Sequence, residues 1–356
     1  MKVGIDAHKR SCTVALFEGD SVTGSFDFPT TRQGVTGFME KVPHGSTVVI
    51  EASTTGKVLS RMLSQKYDVH MVAPPERKIS VKTDRRDSEH IVKEDAIGYL
   101  RRCYVPTPYI ENMRSLVSRQ VQTGHDISKA KSRIHSLLEM NMVQGEFAMS
   151  DIFGVCGLKK MSQLQLPRQD MVALARYLDE LRMHVSHHRQ LETEMARMAA
   201  SDSDVHLLMT IPGVSVFTAV AIKARVGDVS RFPTKKQLCS YKGVVPSANN
   251  SGQYVSQHGR VKHGDAVLKY ALTCAVMGAV RAAKDSSVKL FYQKMIKKGV
   301  SPQKAQVAAA RKMACVAWKV LSSGRPYVEE DENLTERKMK MILYNAARPR
   351  FWCITV

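Results

Sequence analysis

The chain has 356 residues, 44% of them hydrophobic, which suits two or three globular domains at about 100–200 residues each. Its 53 Lys and Arg against 33 Asp and Glu give a net charge of +20, a balance that points to a polyanion, above all nucleic acid, as partner. With no apolar leader and no run of 18 apolar residues, it reads as cytoplasmic with no membrane span. The seven scattered cysteines, none in a CxxC pair, read as reduced thiols rather than zinc ligands.

Residues 1–105 read as α/β. Val3 to Asp6, Thr13 to Phe17 and Val22 to Phe28 alternate as short strands, the last two parted by the turn Glu18-Gly19-Asp20. Thr47 to Ile50 is a compact β-branched run ending at Glu51. Helical spacing follows from Lys57 to Gln65, then a strand from Val69 to Val72. Pro74-Pro75 breaks the pattern, and a helix is predicted over Thr83 to Leu100.

Residues 106–204 carry two long apolar periodicities, through Met113, Val117, Ile127, Ile134 and Leu138 and through Leu174, Leu178, Leu181, Leu191 and Met195, with a weaker stretch from Gly145 to Pro167 between them. They predict a helical hairpin or coiled coil. Arg114, Arg119, Lys129, Lys131 and Arg133 lie on its first helix, either as a nucleic-acid surface or as a solvated charged face. Residues 205–325 read as mainly helical. Ile211-Pro212-Gly213-Val214 between apolar segments looks like a helix-hairpin-helix turn, where the backbone around Gly213 suits a phosphate, or like an ordinary tight turn. Residues 326–356 read as a tail, charged at first and apolar at Phe351-Trp352.

Asp6 and Glu51 each end a strand, and Asp84 and Asp87 share a helix face at i and i+3. Four hard oxygen donors in this order suit Mg²⁺ or Mn²⁺, a cation that serves phosphodiester chemistry. The order resembles the acidic tetrad of RuvC-like members of the RNase H fold. Gly4-Ile5-Asp6-Ala7-His8-Lys9, the Glu51 strand and Lys82-Thr83-Asp84-Arg85-Arg86-Asp87 resemble, more narrowly, the N-terminal domain of IS110/IS1111-type transposases, relatives of the Piv invertases.

Gln237 to Pro246, then Asn250-Ser251-Gly252, then Arg260, Lys262, His263, Gly264 and Asp265 resemble that family's C-terminal domain, with Val244 in a usual leucine place and His263 in a commonly basic one. The resemblance implies that Ser251 is a nucleophile toward DNA phosphorus, although Asn-Asn-Ser-Gly is also a good turn and Ser240, Ser247 and Ser256 lie nearby. Arg260, Lys262 and His263 would stabilise developing charge. The family implies DNA strand exchange, a bridge RNA as guide, and a dimer or tetramer whose composite active sites join the acids of one protomer to the serine of another. Two other readings stay open: a metal-only nuclease or junction resolvase in which Ser251 is a turn residue, and a non-catalytic nucleic-acid scaffold.

Overall fold

The computed structural model describes residues 1–19, 21–73, 84–241, 250–251, 254–255, 265–282, 284–328 and 331–349, the pairs 84–85, 250–251 and 254–255 by backbone alone. The chain divides into two compact units, Met1–Pro106 and Thr107–Val356.

The first unit is a mixed sheet with helices on both faces. Strands β1 (Lys2–Ala7), β2 (Ser11–Glu18) and β3 (Ser21–Pro29) form an antiparallel meander. Helix α1 (Arg32–Lys41), β4 (Thr47–Glu51), α2 (Thr54–Leu63), β5 (Asp68–Val72) and α3 (Asp84–Ala96) follow. The sheet order is β3-β2-β1-β4-β5, with β1–β4 and β4–β5 parallel. Because both faces are covered, β1 and β4 are almost continuously apolar rather than alternating. Val3, Ile5, Val48 and Ile50 pack with Val35 and Phe38 of α1 and Leu59 and Leu63 of α2, whereas Val49 and Val72 on the opposite face meet Ile91 of α3. Side-chain caps start two of the helices: Gly34 N donates to Thr31 Oγ1 at 3.1 Å and Gly56 N to Ser53 Oγ at 2.8 Å. Helix α1, which the sequence reading passed over, closes the Phe38 side of this core.

Among the described residues the second unit is helical apart from one small hairpin. Helices α4 (Pro108–Met140) and α6 (Arg168–Ala200) run antiparallel, as the bridges Tyr109 to Met198 and Arg133 to Glu180 require. Helix α5 (Val155–Met161) closes one end of this pair, where Ile134, Leu138, Phe147, Met161 and Leu174 form a local core. At the other end, Met113, Val117 and Met195 enter a larger core with α7 (Ser203–Met209), α8 (Val216–Val226), α9 (Lys235–Tyr241), α10 (Ala266–Arg281), α11 (Ser287–Lys297) and α12 (Pro302–Ser323). Between α9 and α10, β6 (Asn250–Ser251) and β7 (Tyr254–Val255) pair antiparallel. The stretch read as a tail contains α13 (Glu332–Ala346). Its Lys338 Nζ donates to Met209 O at 2.6 Å and Ile211 O at 3.3 Å, tying it to the carbonyl end of α7. Among the described residues no helix is long and apolar enough to cross a membrane.

Candidate active site

Backbone register sets the acidic end of the sheet. Strands β1 and β4 are parallel with Ile5 opposite Ile50, so the next residues, Asp6 and Glu51, emerge side by side at the carboxyl ends of adjacent strands. In-register parallel neighbours share a face and lie about 4.8 Å apart. Asp6 is buried, 6% exposed, while Glu51 is half-buried. His8 Nε2 lies 3.0 Å from Asp6 Oδ2, its N–H donating to the carboxylate. The strand's period of two puts residues 6 and 8 on one side, so this partner was readable from spacing, yet the tetrad motif alone does not include it.

Helix α3 covers the same face. A Cβ at Gly4 would stand 2.2 Å from Ser88 O, so only glycine lets the helix come this close. The helix runs down the face antiparallel to β5. Ile91 packs with Val49 and Val72, and one turn later Asp95 Oδ2 lies 3.5 Å from His70 Nδ1, lower on β5. Its first turn, with Asp84 and the half-buried Asp87, therefore lies toward the strand ends that bear Asp6 and Glu51. Among the described residues no group of three or more His, Cys, Asp or Glu is drawn together tightly enough to form a metal cage; the Asp84 side chain lies outside those residues. The side chains offered at this end of the sheet, Asp6, Glu51 and Asp87, bear hard carboxylate oxygens, the chemistry that Mg²⁺ or Mn²⁺ takes. Cys12 belongs instead to the core on the other face of the sheet, where burial chiefly raises its thiol pKa and the Asp6 charge adds to the rise.

In the helical unit the basic residues singled out on α4 have different surroundings. Arg114 turns inward, and its Nε donates to Ala224 O at 2.7 Å, capping the end of α8. Lys129 lies 3.7 Å from Asp126, Arg133 pairs with Glu180 at 2.9 Å, and Lys131 sits 4.7 Å above the Phe153 ring. Arg119 is exposed.

Gly213 has φ +86°, and a Cβ there would meet Ala279 N at 2.2 Å, so this turn lets α10 pack against bare backbone. Ser215 and Thr218 cap the following α8 reciprocally, Ser215 N donating to Thr218 Oγ1 at 2.7 Å and Thr218 N to Ser215 Oγ at 3.3 Å. Two amides at the start of α8 are thus engaged within the chain.

Ser251 stands opposite Tyr254 at the tip of the β6–β7 hairpin, known by its backbone. Arg260, Lys262 and His263 lie outside the described residues. Asp265, which closes this motif, caps α10 by accepting from Leu268 N at 3.0 Å and lies 3.3 Å from Arg225.

Two family models match the chain. A transposase model of DEDD type covers residues 3–142, and one described as Transposase IS116/IS110/IS902 family covers residues 205–293. The transposase for insertion sequence element IS1111A of Coxiella burnetii is 30% identical over 139 residues, 38% of either chain. The transposase for insertion sequence element IS1328 of Yersinia enterocolitica is 23% identical over 292 residues, 78% of this chain and 84% of its own. A pilin gene-inverting protein of Moraxella bovis is 29% identical over 123 residues, 34% of this chain and 38% of its own. The chain thus spans well under half of the Coxiella and Moraxella relatives and most of the Yersinia one. A mixed sheet with acids at its strand ends, followed by a helical unit matched independently, defines a DNA recombinase of the transposase class. The chain belongs to the IS110/IS1111/IS116 family of insertion-sequence transposases.

Proposed function

We propose that this chain excises and integrates a mobile element, using Ser251 as nucleophile and the carboxylates Asp6, Glu51, Asp84 and Asp87 of an RNase H/RuvC-like unit as a divalent-cation site. The observation that carries the reading is the in-register emergence of Asp6 and Glu51 beneath a helix that begins with Asp84 and Asp87.

In the proposed reaction Ser251 Oγ attacks a DNA phosphorus. The Oγ–P bond forms as the P–O bond to the departing strand end breaks, and the serine proton finishes on that end as a free hydroxyl. Attack by the hydroxyl of a second strand reverses the step, frees the serine and completes the exchange. Arg260, Lys262 and His263 donate to the phosphate oxygens as charge develops. His8 orients the Asp6 carboxylate. Mg²⁺ or Mn²⁺, held by the four acids, supplies a Lewis acid when bound.

Family resemblance supports the remaining elements: a bridge RNA that pairs with donor and target DNA, and a homo-oligomer in which the acids of one protomer serve the serine of another. The test is a strand-transfer assay with Asp6→Asn and Ser251→Ala chains. Both should lose rejoined product. Hydrolytic cleavage that persists in Ser251→Ala and is lost in Asp6→Asn would instead establish a metal-only nuclease.

A further inference from the structure

From Ser286 to Val328 the chain has nine Lys and Arg and no Asp or Glu, the longest acid-free run in the sequence. This run builds α11, α12 and the turn after them. Along α12, Pro302–Ser323, lies a groove of about 1070 Å³ whose lining includes Lys235, Arg311, Lys312, Lys319, Arg325 and the ring of Phe291, and no carboxylate among the described residues. None of those five cations makes an ion pair among the described residues, unlike Lys129 and Arg133 on α4.

Five like charges along one groove repel one another, and nothing described in the chain offsets the cost. Phosphates would. Arg311 and Lys319 are eight residues apart on one helix, about two turns, so they stand on one face about 12 Å apart. That length matches about three phosphates of one DNA strand. The apolar floor fits the partner as well: Lys312 Nζ sits 5.3 Å from the Phe291 ring centroid, and Trp318 Nε1 donates to Phe232 O at 2.8 Å, which fixes its ring in the wall. A floor of this kind suits the apolar stems of long cationic side chains.

We infer that this groove on α12 is a binding site for the phosphate backbone of the DNA substrate. It rests on the transposase reading for the identity of the polyanion, but not on the serine or on the acids. The groove reads no sequence, since its charges are suited to phosphates rather than base edges.

The test is equilibrium binding of the full-length chain, without divalent cation, to duplex DNA, single-stranded DNA and structured RNA of equal length across a salt series. The triple substitution Arg311→Gln, Lys319→Gln, Arg325→Gln should weaken duplex binding about tenfold or more and lower the salt slope by about two to three. Arg182→Gln with Lys340→Gln, which removes cations already paired with Asp179 and Glu336, should change binding less than about threefold. Unchanged affinity and slope in the triple variant, with its thermal midpoint retained, would overturn the site. An equal loss in the control pair would reduce the effect to net charge and overturn it too. A loss confined to RNA would assign the groove to a different polymer and refute the DNA proposal. The single substitution Lys319→Gln, on an exposed side chain, serves if the triple variant fails to fold, and should lower the slope by about one.

Discussion

The two units hold their charged residues in opposite ways. Residues 1–106 carry 16 Lys and Arg against 13 Asp and Glu, while residues 107–356 carry 37 against 20. In the first unit acids are placed singly by backbone: Asp6 and Glu51 by strand register, Asp87 by a helix that Gly4 admits to the sheet. In the second unit cations stand along helix faces, some paired, as on α4, and some with no ion pair among the described residues, as on α12. The contrast teaches that a count of basic residues on a helix is a poor guide to a binding surface. What distinguishes α12 is that no counter-charge meets it among the described residues.

A site made by register should be brittle, and a surface made by number should fail in steps. Asp6→Asn or Glu51→Gln should lower strand cleavage on the order of 10³-fold. Unfolding in urea should stay near that of the parent. A modest, additive loss, like that expected for single cations on α12, would break the comparison.

Packing glycines come next. Gly213→Ala adds a Cβ against the α10 backbone at a positive φ, and should cost about 3 kcal/mol or more. Gly4→Ala should cost about 1–3 kcal/mol, and should lower cleavage as well, because α3 must lift from the face that holds the acids. Urea melts read the first effect and cleavage rates the second.

The smallest expected effect concerns Asp228, whose carboxylate accepts from Ser230 N at 2.9 Å and Ser230 Oγ at 2.7 Å. These bonds hold its pKa below the usual carboxylate value. A folded-state pKa that is depressed stabilises above the unfolded value of about 3.9, and the gain is lost as pH falls through the lower folded value. The side chain is exposed, so Asp228→Asn should cost only a few tenths of a kcal/mol at neutral pH, and the difference should shrink on acidification when melts at pH 7 and pH 3 are compared.

Much of the first unit was legible because its strands are compact runs rich in β-branched and aromatic residues, parted by turn and breaker residues. That β1 and β4 are neighbours was not legible, since pairing order is tertiary, and only that order makes Asp6 and Glu51 adjacent. Helix α1 escaped notice because RQGVTGFMEK has two glycines and buries only Gly34, Val35 and Phe38; Thr31, its cap, was the available signal. Helix α13 was hidden for a related reason. Ile342 is its one buried residue among those described, and Met341, Leu343 and Tyr344 are exposed, so no apolar stripe announces it. Arg114 was read with the basic face of α4, but it follows Met113 and precedes Val117 by three positions, which sets it at the rim of the apolar stripe and within reach of α8. The acid-free run from 286 to 328 was visible in composition all along, and acquires meaning only when its cations line one groove.

The most direct measurement is mass spectrometry of the full-length chain quenched in denaturant during reaction with a cleavable DNA substrate. The account predicts a nucleotide-bearing tryptic peptide modified at Ser251, absent from both the Ser251→Ala and the Asp6→Asn chains. Normal strand exchange with no protein–DNA adduct, or an adduct mapped to another hydroxyl, would contradict it.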